Sequence, residues 1–422
     1  MRTRLLLPWR WPAWVWLSGL AAVLLIRFPI YFALSPPYLM DFEVYRAIAQ
    51  RIAEGGGGAL YQPTTSALMM FKYAPCWALA WLPLAWLPGH IGAVLWTALT
   101  ALWLVLACWT ASRLCAGATL RVPTWVSVGV VLLLVRPMTA EFLNGQVDIL
   151  WALLVTASLL TMNSHQTWWS AVWLALAIAL KLPALIVLAY FLLRRRWVFS
   201  LQVMAVFLAV NGLASLLLNP AQPWDLIRDW SRVLWISGGG RAFEIGNQSL
   251  AALAARFLSA DGYHLNIAAL STTAIVALTL LVLGGLFSLV CVGPTSRLPE
   301  ATRLVFDGAL LSVLMVLGSP TTWIATYSAL ILPVSLAITC LLSWWRHPLL
   351  RGQVIAALLT ISSLTGLSLM THSKFWKALG ILYFRGESYV FLVLMILPWF
   401  GLALFASLWY QRRIYVRTGV RD

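Results

Sequence analysis

Negative charge is what this sequence has least of. Only 13 of its 422 residues are Asp or Glu, against 29 Lys and Arg, and charged residues of both signs make up 10% of the chain. A soluble domain would carry roughly a quarter. With 62% hydrophobic residues and a mean hydropathy of +0.86, the shortage excludes a soluble enzyme and leaves a polytopic membrane protein. Paired cysteines are missing too. Cys76, Cys108, Cys115, Cys291 and Cys340 form no CxxC and mostly fall inside apolar runs, so they read as small hydrophobes with no disulfide framework. His90, His165, His264, His347 and His372 never approach one another at metal-ligand spacing, so no metal and no cofactor is expected. There is no Walker loop, no GxGxxG and no Ser/His/Asp pattern, which removes the usual signs of a nucleotide site or a hydrolase.

What is present is apolar length punctuated by arginine. The net charge of +16 does not indicate nucleic acid, because the basic residues stand singly or in small groups between apolar runs. They read as cytoplasmic topology markers and anionic-lipid contacts. Spans are expected at 11–34, 90–112, 197–218, 266–292, 323–343, 353–370 and 388–410, with shorter ones at 122–137, 148–162 and 303–318. The clusters Arg2/Arg4/Arg10, Arg113/Arg121, Arg194–Arg196, Arg297/Arg303, Arg346/Arg351 and Arg412/Arg413/Arg417 have almost no acidic neighbours in sequence and should share the cytoplasmic side. That parity makes "KYAPCWALAWLPLAWLP" (72–88) a half-helix in the outer leaflet. It also makes 168–193 a hairpin of two half-helices broken at Lys181-Leu182-Pro183. The fold class is thus an all-α polytopic bundle of about ten full crossings plus re-entrant half-helices, one domain over 1–422, with both termini inside.

Most acids then face outward, on the 35–89 loop, a Glu141–Asp148 turn, the 219–265 loop and the 371–387 loop. Two outer amphipathic helices are expected. One starts near Asp41, with Phe42, Tyr45, Ile48, Ala49 and Ile52 on one face; the other is "PWDLIRDWSRVLW" (223–235). Ionisable residues near the membrane cost roughly 2.5–3.5 kcal/mol each at a helix centre and tend to face a cavity. That singles out Lys181, Arg136 and Asp148. Lys181, about thirteen residues from either end of its segment, reads as an anion ligand without a protein partner. Asp41 has two readings that do not exclude each other, a helix cap and a carboxylate facing a lipid-borne substrate. In "NGQVD" (144–148) and "GNQSL" (246–250), Asn144 and Asn247 suit caps, whereas Gln146 and Gln248 suit hydroxyl binding.

At these residues the chain resembles a GT-C-type glycosyltransferase, specifically glycosyltransferase family 87. The stretches that carry the resemblance are "DFEVYRAIAQRIAEGGGGALY" (41–61), "FKYAPCWALAWLPLAWLP" (71–88), "NGQVDILWALL" (144–154), "ALKLPAL" (179–185), "RRRW" (194–197), "NQSL" (247–250) and "SPTTW" (319–323). The resemblance implies a polyprenyl-phosphate-linked donor of mannose or a related hexose, and a glycolipid or glycan acceptor at the outer face of the membrane. It makes Asp41 the catalytic aspartate of the first loop, and puts forward Tyr45, Lys72, Tyr73, Lys181, Arg136, Gln146, Asn247, Gln248 and Trp323 as substrate-binding residues. A lipid phosphate leaves as a stable anion, so a single carboxylate base suffices for an inverting displacement. Two departures stand out: Ala325 and Thr326 replace histidines common in the family, and its Tyr-Pro-Pro is here Tyr73-Ala74-Pro75. A transporter or flippase of lipid-linked sugars is the rival reading. Against it, only one half of the chain shows a broken membrane segment.

Overall fold

The computed structural model describes residues 39–63, 70–118, 122–123, 125–241, 244, 246–259, 267–292, 298–344, 351–369, 383–384, 387–388 and 396–418. The expected first span at 11–34 and most of the 371–387 loop lie outside them.

In chain order the described helices are α1 (Met40–Ala53), α2 (Pro75–Trp81), α3 (Gly89–Gly117), α4 (Val126–Leu133), α5 (Val135–Asn144), α6 (Asp148–Asn163), α7 (Thr167–Leu180) and α8 (Leu185–Leu193). They continue with α9 (Trp197–Leu218), α10 (Pro223–Arg241), α11 (Leu250–Leu258), α12 (Thr272–Cys291), α13 (Glu300–Gly318), α14 (Ile331–Trp344), α15 (Arg351–Leu369) and α16 (Ile396–Thr418). One two-residue antiparallel ladder, Tyr383–Phe384 with Glu387–Ser388, is the only sheet among the described residues.

Five described helical segments are long and apolar enough to cross a membrane: α3, α9, α12, α13, and Ile324–Ser343, in which a 3₁₀ turn (Ile324–Leu330) leads into α14. The chain is therefore a helical membrane protein. Its buried centre is α13, where Leu304–Leu317 is almost continuously inaccessible, together with α14. By contrast α12 leaves Leu280 and Leu281 exposed on its outer side.

The span expected at 122–137 is bent rather than straight. α4 and α5 meet at a 70° bend around Leu134. Pro137 supplies the cause: it is tolerated in the first turn of α5, but its ring would clash with the carbonyl four residues back, so no straight helix runs through 133–137. α5 continues to Asn144 and takes Glu141 with it. Glu141 is fully buried rather than part of an outer turn. Its Oε1 accepts from the Ile149 amide at 3.0 Å and its Oε2 from Ser328 Oγ at 3.3 Å, which satisfies a free N–H at the start of α6.

The apolar segment 167–193 breaks at Lys181, whose backbone is extended between α7 and the 3₁₀ turn Leu182–Ala184. Contacts at its two ends converge. Ser158 Oγ donates to the Ser170 carbonyl at 2.9 Å, near the start of α7, and Leu159 packs directly onto Gly308. The residue before it, Asp307, accepts from Tyr190 Oη at 2.6 Å and pairs with Arg194 at 3.5 Å, at the end of α8. Both arms of the segment thus begin beside the same stretch of α13, with Lys181 at the far turn.

The basic clusters are less bare than their sequence neighbourhoods suggest. Arg412, 1% exposed, pairs with Asp307 and donates to the carbonyls of Val290 (3.0 Å) and Leu289 (2.7 Å), and Arg196 pairs with Glu300. Asp307 thereby ties α8, α13 and α16 together as a hydrogen-bonded buried network, the condition under which buried charge is tolerated.

Candidate active site

A cavity of about 470 Å³ opens where α1, the 144–148 loop, the turn at Lys181, α10 and the 319–323 loop meet. Each wall has a local reason for its place. α1 carries Asp41 and Glu43 in its first turn and Arg51 in its last, matching its dipole, and buries Phe42, Tyr45, Ile48 and Ala49 along one face as the periodicity requires. Gly55, at φ +83°, ends it. α10 buries Leu226, Trp230 and Val233 and pairs Asp225, Arg228, Asp229 and Arg232 on its outer face. Its Trp230, Leu234 and Ser237 line the cavity.

Asp41 lies in the cavity wall. The residue preceding α1 is Leu39, and no side chain caps the helix, so the capping reading of Asp41 is set aside. The Gln146 side chain, Lys181 and Lys72 are close enough to act on its charge. Burial raises its pKa above the usual 3.8; the Gln146 amide and the two lysines pull the other way, and Asp148 adds to the rise.

Tyr45 and Tyr73 share a hydroxyl–hydroxyl bond of 2.8 Å, and burial pushes both phenols well above 10, so both keep their protons. Tyr45 is fixed by rings, stacked on Trp81 at 5.6 Å and tilted against Trp96 at 5.0 Å. The extended piece 71–73 is held by two donors, Trp230 Nε1 to the Lys72 carbonyl (3.0 Å) and Tyr61 Oη to the Tyr73 carbonyl (2.8 Å). Lys72 and Tyr73 both line the cavity as a result.

Lys181 also lines the cavity, but the expectation that it has no protein partner is corrected. Its ammonium pairs with Asp148 and lies 5.9 Å from the centre of the Trp151 ring. Asp148 is fully buried at the first turn of α6, where the helix dipole favours its charge. Lys181 keeps 23% of its side chain accessible, so the pair presents a cation at the cavity wall and hides the anion behind it.

Trp323 reaches the cavity and packs against Gly246, where a Cβ would sit 2.5 Å from its ring. The remaining expected residues are placed elsewhere. Arg136, in the first turn of α5, does not line the cavity. Asn247 and Gln248 sit behind the wall, fully buried. The Asn247 amide braces two loops: Nδ2 donates to the Pro320 carbonyl (2.7 Å), and Oδ1 accepts from the amides of Thr322 and Ser249 (both 3.0 Å). Ser249, not Asn247, caps α11, accepting from the Ala252 amide. Gln248 contributes its backbone, donating to Thr322 and accepting from Tyr327 Oη.

Two contributors were missed as site residues. Asp148 stood out in sequence as an ionisable residue near the membrane but was not matched to Lys181, although two such residues usually find each other. Trp230 was visible only as one apolar position of an amphipathic helix; nothing in the sequence shows that this face covers a cavity.

Comparison with known proteins bears on the same elements. The family model described as glycosyltransferase family 87 matches residues 71–320, more than half of the chain. The match begins beyond α1, so Asp41 lies outside it. Over 396 residues the chain is 27% identical to the polyprenol-phosphate-mannose-dependent alpha-(1-2)-phosphatidylinositol mannoside mannosyltransferase of Mycobacterium tuberculosis, covering 90% of this chain and 88% of that protein. The protein of the same description from Mycolicibacterium smegmatis is 26% identical over 391 residues, covering 87% and 84%.

Proposed function

Because the chain belongs to glycosyltransferase family 87, we propose that it moves mannose from a polyprenyl-phosphate-mannose donor to a hydroxyl of a glycolipid such as a phosphatidylinositol mannoside. The observation that carries this reading is that the Asp41 carboxylate shares a single cavity with two ammonium groups, Lys181 and Lys72; a second carboxylate, Glu244, lines the same cavity. The names of the two mycobacterial relatives supply the donor and acceptor classes.

In this reading the acceptor oxygen attacks the anomeric carbon as its proton passes to Asp41. The bond from that carbon to the phosphate oxygen breaks, and its electron pair leaves with the polyprenyl phosphate. Lys181 and Lys72 balance the charge gathering on the phosphate; in a site poor in water such cations count for far more than in solution. A single displacement inverts the anomeric centre. The reaction as written needs no metal: the leaving group departs already ionised, and the lysines supply the positive charge. Tyr45, Tyr73, Trp230 and Trp323 offer aromatic faces and hydroxyls to the sugar. Arg136 would belong to the lipid's approach rather than to the reacting centre.

The membrane arrangement completes the proposal. α7 and α8 form a re-entrant hairpin that carries Lys181 to the cavity, supported by the shared α13 level of its two ends. With the bent α4–α5 pair, α6, α15, α16 and the first apolar run, this makes about ten crossings, and the cavity faces outward. A cysteine at exposed Glu54 should then react with an impermeant thiol reagent in intact cells, whereas one at exposed Arg195 should react only after permeabilisation. Labelling of Arg195→Cys from outside would overturn the hairpin and the sidedness together.

The activity itself is tested in proteoliposomes with polyprenyl-phosphate-mannose carrying carbon-14 in the sugar and with phosphatidylinositol mannoside. Label should pass to the glycolipid with one polyprenyl phosphate released per transfer. Movement of labelled donor between leaflets without transfer would overturn the proposal in favour of translocation.

A further inference from the structure

The end of α8 carries more positive charge than its neighbours neutralise. Arg194, Arg195 and Arg196 form the turn into α9, Arg303 stands one helical turn before Asp307 on α13, and Arg412 reaches in from α16. Among the described residues these arginines meet two carboxylates: Asp307, shared by Arg412 and Arg194, and Glu300, paired with Arg196. Arg195 and Arg303 make no side-chain hydrogen bond or ion pair with a described residue. Arg194 and Arg303 are both close enough to the Tyr190 hydroxyl to act on its ionisation, and that hydroxyl lies 2.6 Å from Asp307. The surplus charge is therefore gathered in one neighbourhood.

Arg195 also stands where a helix end usually has glycine. Its φ is +58°, its amide donates to the Leu192 carbonyl (2.9 Å), and the Arg196 amide closes the turn onto the Phe191 carbonyl (3.0 Å). A Cβ is disfavoured in that left-handed conformation, which glycine and asparagine tolerate better. The exposed Arg195 side chain has no pairing to offset the strain. Beside it the surface turns apolar: Leu193, Trp197, Val198 and Leu201 are all more than half exposed. The last three begin α9, a helix long and apolar enough to cross a membrane.

We propose that the α8–α9 turn and Arg303 form a binding site for the headgroup of an anionic phospholipid. Guanidinium groups match phosphate oxygens with forked hydrogen bonds. The surplus charge favours a lipid of net negative charge over a zwitterionic one. The adjoining apolar residues suit acyl chains, which a free phosphate in water does not have. The site is at the end of α8 remote from Lys181, so it is separate from the cavity and does not depend on the transfer reaction.

The test follows thermal unfolding of the full chain in neutral detergent micelles titrated with phosphatidylglycerol, phosphatidylcholine or inorganic phosphate. The unfolding temperature should rise saturably with phosphatidylglycerol alone. Arg303→Gln should raise the concentration at half effect about tenfold, the worth of one charge-assisted contact. Arg195→Asn should be at least as stable as the native protein without lipid, because asparagine tolerates the left-handed turn, and yet should respond less to phosphatidylglycerol. A purely structural arginine would not show that crossing. Arg113→Gln removes a single exposed arginine near the end of α3, 5.9 Å from the centre of the Trp109 ring, and should respond like the native protein. An equal rise with phosphatidylcholine would reduce the surface to general solvation by lipid, and an equal rise with inorganic phosphate would make the ligand a free anion; either overturns the proposal. A native-like response in both Arg303→Gln and Arg195→Asn would overturn it too, and if one of them fails to fold the other decides.

Discussion

Replacing Asp41 with asparagine is expected to abolish sugar transfer while the protein stays folded and still binds the lipid donor. Loss of a general base costs roughly 10²–10⁴-fold in rate. Asparagine keeps the size of the side chain and one acceptor oxygen, and no helix cap is lost, because Asp41 makes none. Two pH effects separate this from a general disturbance of the site. In the native protein transfer requires ionised Asp41, whose pKa burial has raised. Activity should therefore fall on acidification at a pH above the ordinary carboxylate range. The same shift has the opposite consequence for stability. Folded Asp41 holds its proton more tightly than the unfolded chain does, so native stability falls as pH rises from about 3.8 through the raised value. Asp41→Asn lacks that dependence and should unfold at a higher temperature than the native protein at neutral pH. Glu43→Gln, two residues away on a half-exposed side chain paired with Arg46, should change neither quantity much. Near-native activity in Asp41→Asn would remove the carboxylate from the chemistry.

The elements that were legible in sequence owe it to local causes. The buried face of α1 follows from period and composition, and the break at Lys181 follows from the proline two residues on. Pro137 also carried the information for the 70° bend, yet the surrounding apolar run reads as continuous unless the clash with the preceding turn is considered. What was hidden depends on partners distant in the chain. Asn247 looks like a helix cap in "GNQSL", but its amide is taken by Pro320 and Thr322, more than seventy residues away. Arg412 looks like a cytoplasmic marker until Asp307 comes to lie against it. Tyr45, Lys72, Tyr73 and Trp323 were suggested by resemblance alone. Their meeting on one cavity depends on aromatic packing and on carbonyls held by Trp230 and Tyr61, which no spacing rule encodes.

Lys181→Met should impair folding as well as donor use, and a second substitution should separate the two. Methionine keeps the unbranched stem but leaves Asp148 fully buried beside Glu141 without its cation. Breaking a buried ion pair from one side typically costs roughly 3–5 kcal/mol; the partial exposure of Lys181 places this pair toward the lower end. Adding Asp148→Asn removes the stranded charge and leaves a neutral side chain of the same size. The double variant should regain most of the lost thermal stability. It should not regain transfer, because the cavity still lacks the ammonium that faces the donor phosphate. Asp148→Asn alone releases Lys181 from its carboxylate, so it should bind the anionic donor at least as tightly as the native protein. Thermal unfolding and donor titration on the four proteins close a double-mutant cycle in each quantity. Recovery of transfer together with stability in the double variant would make Lys181 a purely structural partner of Asp148. Loss of transfer with restored stability assigns its charge to the donor.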